Sequence, residues 1–209
     1  MLSKQEKQLL IIQFLFFFVN SLASLFLQIF IFNLGGLGKL ILFNLVQYVV
    51  LLAVYVISGR FLKTYSTRTL IRISLIISAF TWGLLFALKT NAQNHLILIA
   101  NLFGIVQGAY WSGFNLSQYI LTHKKTRESY FGKGNFLVNV ASGFGPFIGG
   151  YIILFGSSAI QIPLSGYYLL FSVVAFLSVF TIFFVKELPR HSSLQFSYKD
   201  IFKSNKNKL

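Results

Sequence analysis

Cysteine is missing from this 209-residue chain, and acids nearly so: Glu6, Glu128, Glu187 and Asp200 are the whole set. Without cysteine there are no disulfides, thiolate metal sites or cysteine nucleophiles. The three histidines, His95, His123 and His191, fall in connecting segments without metal-ligand spacing. No Ser/His/Asp set or phosphate loop is present, and the glycines from Gly145 to Gly150 lack the strand-turn-helix context of a dinucleotide fingerprint. The expectation is therefore a protein that is not an enzyme and carries no cofactor and no metal.

Apolar residues dominate what is there. They make up 56% of the chain, with 25 phenylalanines and a mean hydropathy of +0.72, which is the composition of a membrane protein. A hydrocarbon core of about 30 Å needs roughly 20 helical residues. Six stretches meet that requirement: Leu9 to Phe32, Leu40 to Ser58, Thr69 to Leu88, Leu96 to Ile120, Tyr130 to Phe155 and Leu164 to Val185. The first has no small-residue cleavage site at signal-peptide distance and reads as a retained span.

The net charge of +14 would by itself suggest a polyanion partner, but the positions of the charges decide otherwise. Numbered from an N-terminus inside the cell, the inner segments hold sixteen Lys and Arg residues and the outer loops only Lys39 and Lys89. Basic residues retained on the inner side set membrane orientation. The reading is an all-α membrane protein of six transmembrane helices in one bundle, both termini cytoplasmic, in the plasma membrane. Residues 1–8 form a cytoplasmic N-terminus, 9–185 the six-span bundle, and 186–209 a basic tail or interdomain linker. No basic stripe with interleaved aromatics appears on a soluble module, so nucleic acid is not expected as a partner.

The fifth stretch carries the densest pattern. From Gly132 to Gly150 it holds Pro146 and, after Gly132, five more glycines, with no charge beyond Lys133. In water a proline inside a helix costs about 3 kcal/mol; in lipid, neighbouring helices re-satisfy the freed backbone groups. Ala141, Gly145 and Gly149 recur every four residues and form one smooth ridge on which another backbone can approach closely. Pro146 removes a donor and is expected to bend the helix.

Gly132, Ala141, Gly145-Pro146 and Gly149-Gly150 together resemble the fifth-helix motif of the major facilitator superfamily, with Ala141 where the family has glycine. The connection from Gly59 to Arg68 resembles the family's signature loop between helices two and three. Gly59 and Arg68 match there, while Lys63 and Ser66 replace the usual aspartate and glycine. Gln107-Gly108 resembles part of the fourth-helix motif, with Gly104 in place of the expected arginine, and Arg127 resembles the basic residue that commonly precedes helix five. The resemblance implies half of a twelve-span secondary carrier for a small solute, possible efflux included, of which this would be the N-terminal six-helix half. It also implies that the fifth-helix ridge faces the second half. The expectation is accordingly that nothing within this chain covers Ala141, Gly145 and Gly149.

Polar side chains in lipid are expected to face other helices or a watery cavity. Asn20, Ser24 and Gln28 share one face of the first stretch; Gln107, Trp111 and Asn115 share one of the fourth; Asn135 and Asn139 lie on the fifth. These are the candidate cavity residues, since the resemblance implies a cavity lined by helices one and four with two and five contributing. Simple interhelical hydrogen bonding is the competing role, at about 0.6 kcal/mol each. Tyr167 and Tyr168 read as belt anchors at a membrane surface. The expected partners are the lipid bilayer, a small-molecule solute, and a missing C-terminal half or a second copy. Two alternatives stay open: a half-transporter acting as a dimer, and a non-transporting remnant.

Overall fold

The computed structural model describes residues 2–62, 64–160, 162 and 164–185, with the side chain of Ile160 left aside. Lys63 and the basic tail 186–209 lie outside the described residues. Among the described residues there is no strand. Five α-helices follow one another: α1 (Lys4–Phe61), α2 (Thr67–Leu88), α3 (Leu96–Leu121), α4 (Arg127–Ile160) and α5 (Ser165–Phe184), with a 3-10 turn (Lys89–His95) between α2 and α3.

By length and composition four helical stretches could cross a membrane: Lys4–Phe61, Thr67–Leu121, Arg127–Ala159 and Ser165–Phe184. The 58-residue α1 does not run straight. Gly36 sits at φ 71° and ψ −172°, a conformation that residues with a Cβ rarely adopt, and the path turns there. Asn44 Nδ2 donates to Gln28 Oε1 at 2.8 Å although the residues are 16 apart in sequence. In a straight helix that spacing would separate them by about 24 Å. Two antiparallel arms, residues 4–35 and 37–61, therefore lie side by side. All six apolar stretches of the sequence are helical, the first two as these arms.

The ends of the helices have local causes. Ser3 caps α1 through a reciprocal box, its hydroxyl accepting from Glu6 N and its own N–H donating to Glu6 Oε2. Ser66 caps α2 by accepting from Thr69 N at 3.3 Å. Lys89 ends α2 at φ 50°, and Leu164 at φ 64° turns the chain into α5. Pro146 lies inside α4, which stays helical on both sides of it.

α3 packs on both α1 and α2, α5 on α1, α2 and α4, and α4 on α1 and α5. Two aromatic-rich clusters fill the bundle. In one, Trp82 stands edge-on to Phe103 at 4.9 Å and lies 5.7 Å from Phe171, with Phe30 and Phe43 buried beside them. In the other, Phe16 stacks on Tyr110 and Tyr110 on Phe114, with Leu9, Ile12 and Ile71 around them.

Two expectations need correction. The ridge of α4 is covered from within the chain: Ala141, Gly145 and Gly149 are buried against the first arm of α1. Ser21 Oγ donates to Ala141 O at 2.8 Å, and a Cβ on Gly149 would run into the Leu22 carbonyl and the Phe26 ring. Small residues bring two backbones together wherever a partner helix is available, and the nearest partner is an earlier part of the same chain. Tyr167 and Tyr168 are not surface anchors either. They pack on Phe30, with ring centroids 5.6 and 6.3 Å away, and Lys89 Nζ lies 5.9 Å from the Tyr168 ring centroid.

Candidate functional site

A helix in lipid exposes side chains either to acyl chains or to a water-filled path, and amides are costly in the first setting. The positions of the candidate polar residues therefore separate structural from functional roles. Gln28 is half-buried and pairs with Asn44 across the two arms of α1. Asn20 is half-buried and turns Nδ2 back onto the Phe16 carbonyl of its own helix at 2.7 Å. Ser24, one turn further along, is exposed.

On α3 the half-buried Gln107 and Trp111 meet directly. Trp111 Nε1 donates to Gln107 Oε1 at 3.2 Å, and the indole stands edge-on to Phe17 of α1 at 5.7 Å. Asn115 is exposed, and its Nδ2 donates to the Tyr55 hydroxyl at 3.4 Å. Asn135 and Asn139 are both exposed on α4. The structure thus joins Gln107 to Trp111 and Phe17, and Asn115 to Tyr55. It pairs Gln28 with Asn44 and leaves Ser24, Asn135 and Asn139 exposed.

The second small ridge explains why α3 can hold these side chains so close to α1. Gly104 and Gly108 rest on the second arm, where an added Cβ would lie 2.7 Å from the carbonyl oxygens of Gln47 and Leu51 respectively. Ser112 Oγ then reaches Tyr55 O at 3.2 Å and its own Gly108 O at 2.9 Å. Tyr55, Asn44 and Ser21 were not among the sequence candidates. Asn44 could have been found as an amide inside an apolar stretch, the same signal that marked Gln28. Ser21 carried no such flag, because a serine hydroxyl in a membrane helix commonly bonds to its own backbone, and Tyr55 reads as one more aromatic residue in an apolar run.

Of the resemblance positions, Pro146 and Gly150 are half-buried at the edge of the α4 ridge, and Gly59 and Arg68 are half-buried at the α1–α2 connection.

At the end of the bundle where α1 begins, Glu6 is only 1% exposed. Its Oε1 accepts from Thr126 Oγ1, and its Oε2 from Ser3 N at 2.7 Å. Burial works to raise the pKa of this carboxyl, but the bonds from Thr126 and Ser3, with the electrostatic influence of His123, outweigh it and hold the group below its usual range. Among the described residues no group of three or more His, Asp or Glu side chains could hold a metal ion.

Comparison with known proteins agrees with the helix pattern. The chain is 27% identical over 134 residues to the "uncharacterized protein in sodM 3'region" of Geobacillus stearothermophilus, covering 64% of this chain and 63% of that one. It is 27% identical over 135 residues to the "uncharacterized protein YqgE" of Bacillus subtilis (strain 168), covering 64% of this chain and 31% of the relative. The chain thus spans less than two thirds of either relative. The first is about the length of this chain and the second about twice that. The family model of the Major Facilitator Superfamily matches residues 9–205, nearly the whole sequence and every helix from α1 to α5. Apolar helices of spanning length, paired small-residue ridges and this match lead to one conclusion: the chain belongs to the major facilitator superfamily and is a multi-pass membrane protein of transporter type.

Proposed function

We propose that the chain is one six-span bundle of a secondary carrier for a small solute, with both chain ends at the cytoplasmic face of the plasma membrane. The two arms of α1, then α2, α3, α4 and α5, are the six spans. The solute path follows the polar face of Ser24, Gln107, Trp111, Asn115, Asn135 and Asn139, with Asn20 beside it and Tyr55 added from the second arm. One observation carries this reading: Ser24, Asn115, Asn135 and Asn139 remain exposed inside otherwise apolar helices. Amides facing acyl chains would be a standing cost, whereas amides lining an aqueous path solvate a passing solute.

The path is completed by a companion bundle, seated against the exposed side of α4 where Phe136, Phe144, Phe147 and Tyr151 stand. A C-terminal half fits the relative about twice this chain's length. A second copy fits the relative of about equal length.

Two measurements test the proposal. The native chain is free of cysteine, so single cysteines at Lys89 and Lys125 label cleanly. An impermeant maleimide should reach Lys89→Cys in intact cells and Lys125→Cys only after the membrane is opened; equal labelling from one side would refute the topology. In proteoliposomes with its companion bundle, the chain should drive solute counterflow, and Asn115→Leu with Asn139→Leu should abolish it while folding is kept. A folded pair that moves no member of a broad solute panel would count against transport.

A further inference from the structure

The segment before the first apolar stretch is short and charged, and its sequence reads as a cytoplasmic N-terminus. Its side chains are tied to distant parts of the bundle. Leu2 is buried in the cluster that contains Leu121, Tyr130 and Val185. Glu6 accepts from Thr126 Oγ1, 120 residues away, and Gln8 Nε2 donates to the Phe184 carbonyl, 176 residues away. Three groups a few residues apart thus reach the connection between α3 and α4 and the last turn of α5.

Thr126 is the residue just before α4. Its hydroxyl donates to Glu6 and accepts from His123 N at 3.2 Å, while its carbonyl accepts from Tyr130 N at 2.8 Å in the first turn. α4 packs on α1 and α5 and has no packing on α2 or on α3 comparable to these. Its opening turns carry Lys133, Asn135 and Phe136, all exposed.

We propose that residues Leu2 to Gln8 act as a conformational clasp, in which Glu6 and Gln8 pin the base of α4 and the end of α5 to α1, so that release of the Glu6–Thr126 bond frees the base of α4 to move without unfolding the bundle. The ridge at Ala141, Gly145 and Gly149 stays seated on α1 and serves as the pivot. Charge-assisted hydrogen bonds that leave a buried partner unsatisfied when broken are the kind that hold a two-state contact. Because Asn135 and Asn139 ride on α4, the clasp sets where those amides stand. The inference stands on the clasp geometry alone and does not depend on the chain carrying a solute.

Hydrogen exchange on the full-length chain in detergent micelles tests it. Thr126→Val keeps the shape of the side chain and removes the donor; Glu6→Gln removes the charge. Each should speed exchange of backbone amides 122–135 roughly tenfold, with α2 and α3 unchanged. Thr126→Ser, which keeps the hydroxyl, should stay within about twofold of the native chain, on the same reasoning about one retained bond. The double variant should be no faster than Thr126→Val alone, since without the Thr126 donor the contact with residue 6 is already lost. Native-like exchange in Thr126→Val and Glu6→Gln would overturn the clasp, and so would an equal rise across α2 and α3, which would mark a merely global loss of stability. Should Glu6→Gln fail to fold, Thr126→Val with its serine rescue decides alone.

Discussion

Two ridges of small residues rest on the same helix and yet hold different positions in the bundle. Gly104, Gly108 and Ser112 seat α3 on the second arm of α1; Ala141, Gly145 and Gly149 seat α4 on the first. Each ridge adds one hydroxyl bond to a backbone carbonyl, Ser112 to Tyr55 O and Ser21 to Ala141 O. Beyond the ridges the two helices differ. α3 also buries Phe103, Tyr110 and Phe114 against the rest of the bundle, so it is enclosed on more than one side. α4 presents Phe144, Phe147, Tyr151 and Phe155 outward, with Phe147 72% exposed. The same sequence device therefore fixes a central helix in one case and hangs an edge helix in the other.

If that contrast is right, equivalent lesions should have unequal reach. Gly108→Leu is expected to have the largest effect, because the new side chain meets the backbone of Leu51 and the Cβ of Val54 in the middle of the bundle. Overpacking of this kind typically costs about 1–3 kcal/mol, more where backbone must move. The folded, monodisperse fraction in detergent should collapse and its thermal midpoint should fall by the widest margin of the set.

Gly149→Leu meets an even closer backbone at Leu22. Its damage should nevertheless stop at the edge: α4 should lose hydrogen-exchange protection while α2, α3 and α5 keep theirs. Equal loss across all helices would erase the distinction between the two ridges. Breaking the arm-to-arm pair should matter less. Gln28→Leu is expected to cost on the order of 1 kcal/mol by leaving Asn44 only its bond to the Leu40 carbonyl of its own helix, and adding Asn44→Leu should restore part of it. Thermal unfolding of the single and double variants gives the coupling directly. Phe147→Ala, on the open side of α4, should shift stability by less than about 0.5 kcal/mol in the isolated chain. A larger loss would mean that this side is already covered.

The apolar stretches were legible because length and hydropathy are local properties, and a run such as Leu96 to Ile120 has few alternatives to a helix of spanning length. The turn at Gly36 was nearly legible too, since Gly35, Gly36 and Gly38 mark the only gap between the first two runs. The partner of each ridge was not. Four-residue spacing says that Ala141, Gly145 and Gly149 will be approached closely, but Ser21 and Leu22 lie about 120 residues earlier, and no local pattern joins them. The polar candidates show the same limit. Gln28 and Asn139 look alike as amides in apolar runs; only the presence of Asn44 opposite Gln28 separates a helix-pairing role from an open one. Glu6 was hidden for the opposite reason, because so near the N-terminal methionine a carboxylate ordinarily belongs to solvent, and its burial depends on a loop read much later in the chain.

The chain has two tryptophans, and they sit in opposite settings. Trp82 is 1% exposed among Phe103 and Phe171, whereas Trp111 is half-buried beside Gln107, one helical turn from the exposed Asn115. The molecule consequently carries two intrinsic optical reporters that respond to different events. The emission of Trp82 follows the integrity of the interior, and that of Trp111 follows changes around Gln107 and Phe17. Replacing either by phenylalanine would leave one signal, and a solute that quenches or shifts the light of Trp111 alone would announce itself without a label.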